Sequence, residues 1–305
     1  MIVVGGEALV DLVIDRDGGV TATLGGGPFN TARTIARLGG SVGFLGALSR
    51  DRFGSVFRQR LVADRVDTRL VQFTDLPTTM AAAELDEHGG ARYRFYVADT
   101  SAPALRVVAL PRDLSALHVG TLGIVLEPMA TSLETIVGTV ADDVLVVLDV
   151  NCRPAATPDR NVYIARLQRL LRRVDVVKAS SEDLDYLGDG DRNVAVELLA
   201  GGAVAVVLHT DGGDSVHVRG DGRSAAVPVP RVDVVDTIGA GDAFGGAFVA
   251  WWDQAGLARA DLADLDLVQR AVTAAVQVAA INCTRVGADP PRRAELADQW
   301  RPAQR

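Results

Sequence analysis

The sequence is short of the residues on which several kinds of protein depend. Its 305 residues include two cysteines and four histidines. Cys152 and Cys283 stand 131 positions apart with no CxxC pair, and His88, His118, His209 and His217 are scattered. That spacing argues for reduced thiols over a disulfide and against a structural zinc. Basic residues are outnumbered 31 to 39, which leaves a net charge of −8. Neutralising a phosphate backbone takes clustered lysine and arginine, so nucleic acid is not expected as a partner. No apolar run reaches the roughly 18 residues that span a bilayer, and no membrane partner is expected. The opening MIVVGGEALVDLVID lacks a basic leader and a small-residue cleavage site. It reads as a first strand, Ile2 to Val4, of a cytoplasmic protein.

What is present is apolar. At 48% hydrophobic residues the chain can build a large core, as one α/β domain or a domain with an appendage. VLVVLDV (144–150), VDVVKAS (174–180) and VAVVLHT (204–210) are apolar at nearly every position, as strands covered on both faces must be. Helical patterns at 161–174 and 193–202 separate them, the second ending in Gly201-Gly202. The expected fold class is α/β, a three-layer α/β/α arrangement around a doubly wound, mainly parallel sheet. Residues 9–24 and 78–97 break the pattern. They alternate apolar and polar and turn at DGG and HGG, which suits antiparallel strands of a small sheet projecting as a lid or dimer surface. The polar tail after Arg301 is expected to fray.

Two glycine clusters stand out. GGGPFNTARTIARLGG (25–40) places Pro28 in the first turn of a helix with Ala32, Ile35, Ala36 and Leu38 inward and Gly39 at its end. A turn before a capped helix explains Pro28 and one glycine. Three glycines in a row also allow a ligand close to the backbone, with Asn30 offering donor and acceptor to a polyhydroxy compound. Both readings stay open on this stretch. In DTIGAGDAFGGAF (236–248), Phe244, Ala247, Phe248, Trp251 and Ala255 form a helical stripe starting near Ala240 and closed by Gly256. The N–H groups of Gly239 to Asp242 then have no intrahelical acceptor, and the positive end of the helix suits an anion. Asp242 could simply complement that dipole. The glycines before it favour phosphoryl transfer, with the amides holding the phosphoryl group and Asp242 taking a proton from the attacking hydroxyl.

GGGPFNTA with the glycine-spaced run through Gly54, together with DTIGAGDAF, resembles the two signatures of the ribokinase-like (phosphofructokinase-B) family of sugar kinases. The likeness covers nearly the whole chain and implies one ribokinase-like domain over 1–305 with lid strands at 9–24 and 78–97. It implies Asp242 as catalytic base and an anion hole from the amides of Ile238, Gly239, Ala240 and Gly241. By the same likeness Asp11, Gly26, Gly27 and Asn30 bind sugar hydroxyls. LDVNCRP (148–154) is similar to a D-x-N-x-R element of fructokinases, with Arg153 at the substrate's phosphate or alternatively a solvated loop residue.

VVKASSEDLDYL (176–187) resembles an Asn-x-x-Glu region that organises Mg²⁺ through water; Ser180 and Asp183 stand there, equally a capping box. Lys178 would contact nucleotide phosphates. LHTDGGDSV (208–216) resembles a nucleotide loop through Thr210 and Gly212, or forms a plain hairpin. AAINCTRVGADPP (279–291) is similar to the element beside adenine, which implies Asn282 at the base. Carbonyls of Asp236, Ile238, Asn282, Arg285 and Gly287 would hold K⁺.

The resemblance thus implies ATP and Mg²⁺ as cofactors, optionally K⁺, and a small sugar as partner; the apolar and aromatic residues of the lid strands suggest a homodimer through the lid. Fructose phosphorylated at O6 leads. Ribokinase, nucleoside kinase and 2-keto-3-deoxygluconate kinase are alternatives, the last needing Arg92 or Arg94 for a keto acid. A catalytically silent sugar-binding regulator is the alternative of another class. A dinucleotide-dependent oxidoreductase is excluded because GGEAL is not G-x-G-x-x-G.

Overall fold

The computed structural model describes residues 1–85, 91–157, 159–296, 300 and 302. The HGG turn at 88–90 and most of the tail after residue 300 lie outside them. In chain order the first part contains β1 (Ile2–Gly5), β2 (Leu9–Ile14), β3 (Val20–Gly25), α1 (Gly27–Arg37), β4 (Val42–Leu45), β5 (Ala47–Ser49), α2 (Arg52–Ala63), β6 (Gln72–Thr74), β7 (Met80–Leu85) and β8 (Ala91–Tyr96). Then come β9 (Ala116–Gly120), α3 (Met129–Val137), β10 (Leu145–Asp149), α4 (Arg160–Leu170), β11 (Val176–Ser180), α5 (Ser181–Leu187), α6 (Arg192–Leu199), β12 (Val206–Asp211), β13 (Ser215–Gly220), β14 (Arg223–Pro228), α7 (Ala240–Gln254) and α8 (Leu265–Cys283).

The large sheet runs in the order β14-β13-β12-β11-β10-β9-β1-β4. It is parallel from β4 to β12, and the β12-β13-β14 meander closes one side antiparallel. The apolar runs read as doubly covered strands are so placed. One face packs a core containing Phe29, Ile35, Phe248 and Val272 of α1, α7 and α8. The other packs Leu133, Leu167, Leu184 and Val196 of α3, α4, α5 and α6. Parallel strands deliver all their carboxyl ends to one edge, where α/β folds collect ligands.

The second sheet, β3-β2-β7-β8, is the small one expected from residues 9–24 and 78–97. Its hairpins are antiparallel, but β2 pairs with β7 in parallel, because residues 26–79 carry the chain back to the same end. Helix ends follow side-chain caps that the periodicity did not place to the residue. Asp159 accepts from the amides of Asn161 and Val162 and starts α4, and Asp191 starts α6 by accepting from Asn193. Both cysteines are free thiols.

Candidate active site

Five carboxyl ends of the large sheet meet at one edge. Gly6 and Glu7 follow β1, Thr121 follows β9, and Asp149 closes β10 ahead of Arg153. Ser180 ends β11, and Thr210 lies at the end of β12. Helices α1 and α7 present their N-termini to the same place. Gly239 stands at the N-cap of α7 with φ 74°, left-handed backbone that only glycine adopts without strain, and no side chain caps it. Of the amides expected to form an anion hole, Ala240 N instead donates to the Thr237 carbonyl at 3.1 Å and Ile238 N to Asp236 Oδ1 at 2.9 Å, each closing a local turn. Among the described residues those of Gly239, Gly241 and Asp242 have no acceptor.

Asp242 sits in the first turn of α7 and is 9% exposed. Asn30 Nδ2 of α1 donates to its Oδ2 at 2.9 Å, and the Thr31 hydroxyl donates to its backbone carbonyl at 3.3 Å. Its Oδ1 would lie 3.1 Å from a Cβ on Gly27, so the bare backbone of the first glycine cluster faces the carboxylate. Burial pushes the Asp242 carboxyl above its ordinary range, while the Asn30 bond, Lys178 and Arg153 pull it back. A carboxylate so tuned is a better proton acceptor than a solvated one.

Asp11 on β2 lies over Gly25, where a Cβ would come 1.8 Å from its Oδ2. Burial and the charge of Asp242 raise it to about 6, with Arg153 opposing. Among the described residues no protein donor reaches its carboxylate, which suits a group that accepts hydroxyls from a ligand. Gly26 has φ 103°, and a Cβ there would meet the Glu7 carbonyl at 2.7 Å. The three glycines therefore do what a turn alone would not demand. They let α1 start against Glu7, Asp11 and Asp242 at once.

A cavity of about 780 Å³ opens beside this cluster, lined by Arg153, Lys178, Thr210, Gly212, Ala240 and Gly241 among others. Its far wall is the α8 face of Val276, Ala279, Ala280 and Cys283, opposed by residues 229–234. Lys178 Nζ bonds both Asp149 oxygens at 3.0 Å, and a Cβ on Gly241 would come 2.9 Å from that nitrogen. Gly241 thus brings the ammonium against the helix start. Burial works against the Lys178 charge, but Asp149, Asp183 and Asp242 outweigh it and raise its pKa. Burial raises Asp149 to about 6, with Lys178 opposing. Gly212 and Gly213 make the β12–β13 turn and line the cavity, so the hairpin itself forms part of the cavity wall.

Two expectations sit differently in the structure. Asp183 forms the capping box of α5: its Oδ2 accepts from Ser180 N at 2.8 Å, and its Oδ1 accepts from Cys152 N. Both oxygens are engaged by backbone. Asn282 is 0% exposed and stands behind the cavity wall, donating to the Ile238 carbonyl at 2.9 Å. Of the arginines suggested for a keto acid, Arg94 pairs with Glu84 at 2.8 Å across the small sheet, and the Arg92 side chain is outside the described ones.

The chain matches the pfkB family carbohydrate kinase description over residues 1–294. It belongs to that family. A fructokinase of Rhizobium leguminosarum bv. trifolii is 35% identical over 260 residues, spanning 82% of this chain and 79% of that protein. The Escherichia coli fructokinase is 31% identical over 292 residues, 91% of this chain and 95% of its own. The solved fructokinase of Xylella fastidiosa with bound ATP superposes with a TM-score of 0.89 at 30% identity, covering 98% and 97% of the two chains. That of Vibrio cholerae O395 with fructose, ADP and calcium ion gives 0.87 at 26% identity, covering 98% of each. As a pfkB-family chain this protein is a carbohydrate kinase on the ribokinase-like fold.

Glu7 and Thr121 had drawn no attention in this pfkB-family sequence. Thr121, at φ 55°, donates its hydroxyl to Glu7 Oε1, and its methyl would lie 2.7 Å from a Cβ on Gly27. A carboxylate three residues past a buried first strand was the available signal. Burial holds Glu7 at about 7 against an ordinary 4.5, with the Thr121 bond opposing. Folding therefore takes up a proton between those values, and stability falls as pH rises from about 4.5 through 7. Glu7→Gln keeps an acceptor for Thr121 and cannot ionise, so it removes that share of the decline, on the order of 3 kcal/mol. Melting temperatures of both proteins from about pH 4 to 8 check this; parallel curves count against it.

Proposed function

We propose that this protein transfers the γ-phosphoryl group of ATP to O6 of fructose. The observation that carries the reading is the start of α7: the amides of Gly239, Gly241 and Asp242, unpaired among the described residues, at a left-handed turn, with a buried Asp242 tied by Asn30 to the glycine cluster. Fructose would lie between Asp11, Gly26, Gly27, Asn30 and Asp242, and ATP in the adjoining cavity. Asp242 takes the proton from the sugar hydroxyl as its oxygen forms a bond to phosphorus and the bond to the departing ADP breaks. The amides of Gly239, Gly241 and Asp242 hold the phosphoryl oxygens, and Lys178 and Arg153 offset the charge that develops.

Mg²⁺, held on the phosphates, would neutralise their charge. Among the described residues no group of three or more His, Cys, Asp or Glu is set to hold a metal. The ion would be carried largely by nucleotide and water, with Asp183, which lines the cavity while capping α5, in contact only through water. For K⁺, the Asp236 carboxylate draws the two segments together by accepting from the amides of Ile238 and Gly287. Carbonyls of Asp236, Ile238, Asn282, Arg285 and Gly287 would supply oxygens, and among the described residues the buried Asn282 Oδ1 has no partner. Use of ATP and two free thiols support a cytoplasmic setting.

ADP release with fructose, ribose, adenosine and 2-keto-3-deoxygluconate tests the reading. Fructose should give the highest kcat/KM. A higher value with another compound replaces fructose, and sugar binding without ADP release favours the silent regulator. We also place a second copy of the chain against the small sheet, where Val20 (61%), Tyr93 (55%) and Tyr96 (54%) are exposed. Gel filtration at micromolar concentration should show a dimer, and a monomer alone removes that assignment.

A further inference from the structure

Two arginines of α1 do work that neither glycine cluster announces. Arg33 Nε bonds Asp64 Oδ2 at 2.8 Å, and its Nη1 donates to the Ala288 carbonyl at 3.1 Å. Arg37, one turn on, bonds the other Asp64 oxygen at 3.0 Å and donates to Asp289 Oδ1 at 2.6 Å and the Pro290 carbonyl at 2.7 Å. All three side chains are buried, at 5%, 7% and 2% exposure. The segment so bolted is the one that lies on the anion-binding turn. A Cβ on Gly239 would meet the Ala288 methyl at 2.5 Å and its Cα at 3.0 Å.

We infer that Arg33 is a positioning residue for phosphoryl transfer, holding Ala288 against Gly239 and thereby fixing the left-handed start of α7. The inference rests on the kinase reading of that helix start. Helix α1 grips the first turn of α7 on two sides: Asn30 fastens Asp242, and Arg33 fastens the segment covering Gly239. The base and the amides are thus set relative to one rigid element, the same one that carries Gly27 into the sugar site. A displacement of about 1 Å between such groups is enough to cost ~10²-fold in rate. The guanidinium is required because one fork serves two acceptors, the Asp64 carboxylate and a carbonyl; an ammonium has one nitrogen to offer.

Arg33→Lys separates the positioning role from a structural one. It keeps a positive charge beside Asp64 but, with a single nitrogen, loses the separated donor that reaches the Ala288 carbonyl. Expected are a fall in kcat of ~10-fold or more, a fructose KM within about threefold of wild type, and a melting temperature within a few degrees. Ala288→Gly removes the covering methyl without touching the ion pairs and should lower kcat in the same sense, by ~5-fold. If Arg33→Lys does not fold, Ala288→Gly decides. Wild-type kcat in Arg33→Lys overturns the inference, as does a fructose KM that rises as much as kcat falls, or wild-type kcat in Ala288→Gly. The ratios are taken on whichever sugar the wild type phosphorylates, so a wrong substrate assignment shows in the wild type and not in the ratio.

Discussion

Asp242→Asn is expected to lower turnover by at least ~10²-fold while fructose affinity changes far less. Asparagine fills the same space, and its carbonyl can still accept from Asn30 Nδ2, which holds the wild-type carboxylate at 2.9 Å. What it loses is the ability to take a proton. The wild-type group is prepared for that task by burial, which raises its pKa, and kept ionisable by Asn30, Lys178 and Arg153. Steady-state kinetics with coupled ADP detection, alongside calorimetric fructose binding, gives both quantities. Near wild-type turnover would remove Asp242 as the base.

The second large effect is expected at Lys178. The Lys178–Asp149 pair is 6% and 1% exposed in its side chains. Lys178→Met leaves the Asp149 carboxylate buried without its counter-charge and with Asp183 and Asp242 nearby. Breaking a buried pair from one side costs about 3–5 kcal/mol. The double variant with Asp149→Asn removes both charges and should recover most of that loss. It should not recover activity, because the ammonium facing Gly241 is still missing, and kcat/KM for ATP should stay down by ~10²-fold. Urea unfolding of both variants and ATP kinetics of the double variant check the two halves. Recovery of both would mean that Lys178 serves the fold alone.

Much of this architecture could be read before any coordinates. VLVVLDV, VDVVKAS and VAVVLHT are short and apolar at nearly every position, which suits a strand covered on both faces, and they became β10, β11 and β12. The GAG approach to Asp242 announced an uncapped helix, and α7 begins at Ala240 as expected. What stayed hidden depends on contacts between distant positions. Asn30 and Asp242 are 212 residues apart, and Arg33 and Ala288 are 255 apart. No periodicity encodes such pairs. Asp183 shows a different limit, since Ser-x-x-Asp reads the same whether its carboxylate closes a cap or faces a ligand, and here both oxygens meet backbone amides. Asn282 shows a third: the helical repeat places it on α8 but not on the cavity side, which Ala279, Ala280 and Cys283 occupy.

Two of the small sheet's four connections to the main body, Gly6–Ala8 before β2 and Gly26 after β3, lie side by side, since a Cβ on Gly26 would meet Ala8 Cα at 3.0 Å. Gly6 and Gly26 both hold positive φ, at 148° and 103°. Any tilt of the sheet about that line swings Asp11 with it and pulls on the first residues of α1. Asp11 and the start of α1 are therefore tied to each other through one pair of adjacent crossings. A side chain added at Gly26 would have to displace the Glu7 carbonyl and Ala8, and so would disturb the bearing of Asp11 and the first turn of α1 together.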